Sequence, residues 1–303
     1  MYVPTGDIVA PAKAGEARVP QSERVLEVVA KDGYTLGATL FEAAKPEGAV
    51  LLAGATGVPA RFYRPFARWL AGHRNLTCLT FDFRGIATSL RGPLAKSQAR
   101  LQDWGQLDLP AALDALCAHA RGPTYLVGHS AGGQLVGLMP NVHQLRRIVQ
   151  VAGSSGYFGN LSPRMRLTAR LLMQGYLPIS TRVVGYGACK VLGWGENLPT
   201  HVARQWTKWC ASPGYVENAF GDTVHSHAYG EISAPILNLS FVDDTIATAA
   251  NIEDLLRLFP AASIERRRFG AEDVQGRAIG HIGFFRSGNK DLWPEVADFL
   301  VAT

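Results

Sequence analysis

Three residues of this chain stand in an order that suits acyl chemistry: Ser130, then Asp244, then His281. Ser130 sits in Leu126-Val-Gly-His-Ser-Ala-Gly-Gly133, where an apolar run ends at a serine held between glycines. The pattern G-x-S-x-G fits a strand that turns sharply into a helix and exposes the serine Oγ at the end of a sheet. The small residues leave room where neighbouring backbone would otherwise collide with side chains. A serine hydroxyl is a weak nucleophile until a base takes its proton. The only histidine after Asp244 is His281, in Ile279-Gly-His-Ile-Gly-Phe-Phe285, and its flanking glycines let a loop bring it back to the serine. His129 adjoins the serine in sequence, yet at such a bend its side chain is expected to point away from Oγ.

The acid comes from Ser240-Phe-Val-Asp-Asp-Thr-Ile-Ala247, which offers both Asp243 and Asp244. Asp244 is preferred because its position two residues before Ile246 suits a turn leading away from a strand end. Asp243 is the rival, and a bland alternative has the pair capping the helix that follows. An oxyanion requires two amide donors. One is expected from Ala131, the residue after the serine. The other is expected from Ala53-Gly-Ala-Thr-Gly57, with Ala55 first and Thr56 second.

These residues need elements to carry them. A hairpin is expected from Arg24–Val29 and Thr35–Phe41 around Asp32-Gly33. Apolar runs at 48–57 and 76–85 read as strands buried on both faces, and further strands are expected at 124–127, 147–153 and 234–241. Helical spacing appears at 62–70, across 99–119 with a start or kink at Pro110, from 133 to 140, at 249–258 and at 292–301. A further strand is expected at 263–269. This alternation predicts an α/β fold, a mostly parallel twisted sheet with helices on both faces and an antiparallel edge. From 157 to 230 the rhythm gives way to a helical, aromatic-rich stretch, expected as a lid inserted over the carboxyl ends of the strands. The expected organisation is an arm at 1–22, a core of 23–156 and 231–303, and the lid at 157–230.

Composition narrows the function classes. Apolar residues make up 47% of the chain, which supports a large core, and the net charge of +5 is modest. Arg266-Arg267-Arg268 lies in a strand-like stretch and is expected as solvated surface, so no nucleic-acid partner is expected. Four scattered cysteines without C-x-x-C spacing suggest free thiols and a cytoplasmic protein, with Cys78 and Cys117 in apolar stretches. The N-terminal residues lack the pattern of a secretory signal, and no apolar run is long enough for stable membrane insertion. His225-Ser-His227 lacks a third ligand at metal spacing, so neither metal nor cofactor is expected. The expected partner is a small-molecule acyl substrate, with a homodimer left open.

Taken together, AGATG, FDFRGIATS, GHSAGG, the FVDD turn and IGHIGFF resemble the α/β-hydrolase superfamily, in its esterase, lipase and serine-aminopeptidase-like branch. The resemblance covers nearly everything after residue 24, and the Trp-rich stretch HVARQWTKWCASPGY is similar to predicted hydrolases of unassigned substrate. It implies that Asp82 and Arg84 brace the active-site loops and do no chemistry. Two departures from the simplest reading stay open. The oxyanion loop begins Ala-Gly where many begin His-Gly. The expected hydrolysis of esters or thioesters also competes with acyl transfer, aminopeptidase action and a non-catalytic binding role.

Overall fold

The computed structural model describes residues 20–302. Residues 1–19 of the expected arm lie outside them, and Ser22 already belongs to the first strand.

Strands β1 (Ser22–Val29) and β2 (Thr35–Glu42) form the expected hairpin, turning at Gly33 with φ +83°. They are followed by β3 (Gly48–Ala53), β4 (Leu76–Phe81), β5 (Thr124–His129) and β6 (Leu145–Val151). After a long helical stretch come β7 (Ile236–Phe241) and β8 (Ile264–Phe269). The sheet order is β1-β2-β4-β3-β5-β6-β7-β8, antiparallel only across β1–β2 and β2–β4. Every residue of β3, β4, β5 and β7 is buried. Alternate side chains feed two cores: Leu51, Leu126 and Ile148 on one face, Val50, Val127 and Val149 on the other. Helices α1 (Arg64–Arg74) and α4 (Trp293–Val301) cover the second face, and α2 (Leu109–His119) covers the first. The arginine run lies on the edge strand β8, where Arg266 pairs with Glu253 and Arg267 with Glu265 and Glu295.

Two expected helices come out shorter. In the 99–119 stretch a turn at Leu101–Asp103 widens into a π-turn at Trp104–Asp108 before α2 begins. Pro110 cannot donate a backbone bond back into the preceding turn, so a regular helix cannot run through it. The helix expected over 133–140 is α3 (Ala131–Gln134) followed by a 3-10 turn at Val136–Leu138. Here the Tyr229 ring lies against Gly137, where a Cβ would come within 2.3 Å of it. The Gly137 carbonyl accepts from Ala228 N–H at 2.7 Å, outside any helical ladder.

The Asp82-Phe-Arg-Gly85 turn does brace its surroundings. Asp82 accepts from Ala60 N–H at 2.7 Å and from Thr88. Arg84 is buried, donates to Asp108 at 2.7 Å and to Asp32 at 2.7 Å, and receives Trp104 Nε1–H on its carbonyl. Replacing Asp108 with Ala strands one side of a buried guanidinium. Loss of a buried partner costs about 3–5 kcal/mol. The low end, about 3 kcal/mol, is expected because Asp32 keeps its hold, and a denaturation midpoint measures it.

Candidate functional site

β5 delivers Ser130 to the carboxyl end of the sheet. The serine adopts φ 47° and ψ −111°, a region costly for a residue with a Cβ. The bend holds because Ser130 N–H donates to Val151 O at 2.9 Å and the Ser130 carbonyl accepts from Gly133 and Gln134. Its tightness explains the glycines. A Cβ on Gly128 would meet Gly133 N at 2.3 Å, and one on Gly132 would meet Ala53 O at 2.3 Å.

Ser130 Oγ lies 3.1 Å from His281 Nε2, and His281 Nδ1 lies 2.8 Å from Asp244 Oδ2. The acid, base and serine, far apart in sequence, therefore form one hydrogen-bonded chain. The carboxylate cannot donate, so Nδ1 carries the ring proton and Nε2 is free to accept from the serine. Asp244 is buried, and its other oxygen accepts from Ile246 N–H at 2.8 Å and Ala247 N–H at 2.9 Å. Burial opposes its ionisation. The bond and charge of His281 and the two amides outweigh that and hold the carboxyl below its ordinary value.

Asp243 is exposed and has a different task. It accepts from Ile279 N–H at 2.9 Å and Gly280 N–H at 2.8 Å, so it grips the backbone just before His281. Neither aspartate caps the next helix, because Thr248 does so through Asn251 N–H.

The amide donors differ from expectation in one respect. The Ala131 N–H opens α3, and no group of the described residues accepts from it. The Ala55 N–H is already donated, to Tyr63 Oη at 2.8 Å, so it faces into the protein. The Thr56 N–H has no acceptor among the described residues, and Thr56, like Ala55, lines the cavity onto which Ser130 opens. Sequence alone could not separate the two, because the acceptor is a ring eight residues away on a neighbouring turn.

That tyrosine exposes a network the sequence reading missed. Tyr63 Oη lies 2.8 Å from His129 Nδ1, and His129 Nε2 lies 2.8 Å from the His281 carbonyl. A carbonyl only accepts, so Nε2 bears the His129 proton and Nδ1 accepts from the tyrosine hydroxyl. His129 points away from Oγ, as expected. It links the loop after β3 to the loop carrying His281. Burial, reinforced by the nearby His281, pushes its pKa down to about 3. The unfolded chain takes up this proton near the ordinary value of 6.5. Between those values the folded state binds fewer protons, so stability falls as pH drops, by up to about 1.4 kcal/mol per unit. Denaturation of wild type and His129→Asn between pH 7 and pH 4 checks this: the variant is expected to show the shallower decline.

Ser130 and His281 open onto a cavity of about 660 Å³. Thr56, Val58 and Ile282 line one side. Phe158, Leu161, Met165, Ala169, Met173, Trp194 and Trp206 of the 157–230 stretch line the other. Other rings of that stretch build its own core, such as Trp209 against Tyr215, edge to face at 5.2 Å. Gln134 is the polar side chain at depth, and Arg61 at the rim is paired with Glu196. His227 stacks on Phe220 at 3.8 Å, and no group of three metal-ligating residues occurs among the described residues. Cys78, Cys189 and Cys210 are buried free thiols, and Cys117 is half-buried. No helix of the described residues is long and apolar enough to cross a membrane.

The comparisons with known proteins agree with this fold. An Acinetobacter baylyi hydrolase named for (E)-2-((N-methylformamido)methylene)succinate is 26% identical over 217 residues, covering 69% of this chain and 77% of that protein. DcsB, solved with a substrate analogue, matches with TM-score 0.64 at 14% identity, over 93% of this chain and all of that one. An esterase from Pyrococcus furiosus matches with TM-score 0.57 at 14% identity, over 92% of each chain. These two structures bear on the fold. The match to the model of the alpha/beta hydrolase family runs over residues 49–287, from β3 to beyond His281, and with the curated hydrolase it supports hydrolase activity. The chain belongs to the alpha/beta hydrolase family.

Proposed function

We propose that this protein is a serine hydrolase of carboxylic esters or thioesters with an uncharged, mainly apolar acyl group. The observation that carries the reading is the unbroken chain Ser130 Oγ, His281, Asp244 opening onto an apolar cavity. Ser130 Oγ attacks the substrate carbonyl while its proton passes to His281 Nε2. Asp244 holds the ring and stabilises the imidazolium. Ala131 and Thr56 N–H groups receive the oxyanion, each such donor being worth about 3 kcal/mol. The imidazolium returns the proton to the departing alcohol or thiol. Water then attacks the acyl-serine, giving its proton to His281 and releasing the acid and Ser130. The 157–230 stretch acts as lid and acyl-side wall.

The substrate of the curated relative carries two carboxylates by name. Among the described residues the only Lys or Arg lining this cavity is Arg61, and it already shares the Glu196 carboxylate with Lys190. An uncharged acyl group therefore suits this site better than a succinate. The test is labelling with a fluorophosphonate together with turnover of p-nitrophenyl esters of graded chain length. Labelling of wild type but not Ser130→Ala, with turnover rising beyond acetate, is the expected result. Equal labelling of both proteins would end the proposal.

A further inference from the structure

The helical stretch that roofs the cavity has an outer face of its own. Pro163–Arg170, the π-turn Leu171–Tyr176 and Leu177–Val183 run on without a break. Met165, Ala169 and Met173 point into the cavity. Leu167, Leu171, Ile179 and Val183 are instead 60%, 64%, 61% and 77% exposed. They recur at steps of four or eight. In a regular α-helix each step of four drifts by about 40° round the axis. The wider π-turn between Leu171 and Ile179 turns the helix back, so the four aliphatic side chains form one stripe. Pro178, which cannot donate to the preceding turn, accounts for that π-turn. Beyond the helix, Val191 is 77% exposed, and Trp194 is both exposed and part of the cavity wall. Scattered exposed aliphatics are ordinary, but a stripe on the outer side of a helical stretch whose other residues line an apolar cavity is not.

Along the chain this stretch carries charge of one sign. Between Asp114 and Glu196 the chain contains no acidic residue. Arg164, Arg170 and Arg182 are exposed, and none has a carboxylate within ion-pair distance among the described residues. A second copy docking by two-fold symmetry would set these guanidiniums against themselves. An amphipathic helix with aliphatic side chains flanked by unpaired arginines suits an anionic phospholipid surface. We infer that the outer face of 163–194 docks on a bilayer rich in anionic phospholipid, holding the cavity mouth against the lipid. This is surface docking, with no segment crossing the membrane, and it does not depend on the proposed chemistry.

The experiment is vesicle flotation of the full chain, with phosphatidylcholine alone and with phosphatidylcholine plus phosphatidylglycerol. Wild type is expected to float with the anionic vesicles and remain behind with the neutral ones. High salt should weaken the binding. Ile179→Glu/Val183→Glu should lower it by about tenfold or more, and Arg164→Gln/Arg170→Gln/Arg182→Gln should erase the preference for anionic lipid. Both variants should keep the wild-type circular dichroism spectrum and unfolding midpoint, which reports that they are folded. Three results would each overturn the inference. They are no flotation with anionic vesicles, flotation unchanged in the glutamate variant, or a solution dimer that the glutamate variant dissociates. The last would assign the face to a second copy. Failure of fluorophosphonate to label Ser130 would leave the flotation result standing, so the two proposals fail separately.

Discussion

Replacing Ser130 with Ala is expected to lower kcat for ester hydrolysis by about 10⁴- to 10⁶-fold with little change in KM. In the proposed mechanism the substitution removes the atom that becomes the ester oxygen of the acyl-serine, while the apolar cavity is untouched. The serine accepts its strained backbone because neighbouring amides and carbonyls fix it. Alanine can occupy the same bend at similar cost, so unfolding midpoints should stay near wild type. The residual rate should come from binding and the Ala131 and Thr56 amides alone. His281→Ala should lower kcat to a similar floor, and the double variant should be no worse than either single one. Additive losses would mean that the two residues do not act on the same proton. Steady-state kinetics on the best p-nitrophenyl ester, with burst-phase measurement of wild type, decides this.

The second large effect separates the two adjacent aspartates. Asp244→Asn is expected to cost about 10⁴-fold in kcat. An amide in that place can donate to Nδ1, which would move the ring proton to Nε2, where it can no longer accept from Ser130. It would also present no charge to an imidazolium. Asp243→Ala should cost far less, about 10- to 100-fold, because that carboxylate touches only the Ile279 and Gly280 amides. Asp243→Asn retains an acceptor and should recover part of the loss. Such recovery marks a positioning role that a catalytic group would not share. Equal losses at both positions would show that the two carboxylates are not divided in this way. Because Asp244 is ionised well below neutrality, its own titration should leave activity unchanged across mildly acidic to neutral pH.

Much of the architecture was legible in the order of residues. Apolar runs such as Gly48–Ala53 and Ile236–Phe241 can only be strands buried on both faces, and they are. The elbow at Ser130 was legible because its physics is local. Backbone crowding within a few residues demands glycine at 128 and 132. His281 followed from chain order, which left no competing histidine. Helix continuity was less legible. The 133–140 stretch has helical spacing, yet Tyr229 arrives from 92 positions away in sequence and packs on Gly137. A distant ring against one glycine overrides local propensity.

The amino-acid sequence by itself determined the layered α/β fold, the serine at its bend and the histidine that could reach it. Each of these depends on local sterics or on the order of elements along the chain. Tertiary structure alone decided which amide of Ala55 and Thr56 is free, because Tyr63 occupies the first. It also separated Asp244 from Asp243, since both lie at the same strand end and differ only in what they meet. It turned His129 from a neighbour of the serine into a strut between two loops. These outcomes rest on hydrogen-bond partners eight or more residues apart in sequence and within 3 Å in space, and no pattern along the sequence carries that distance.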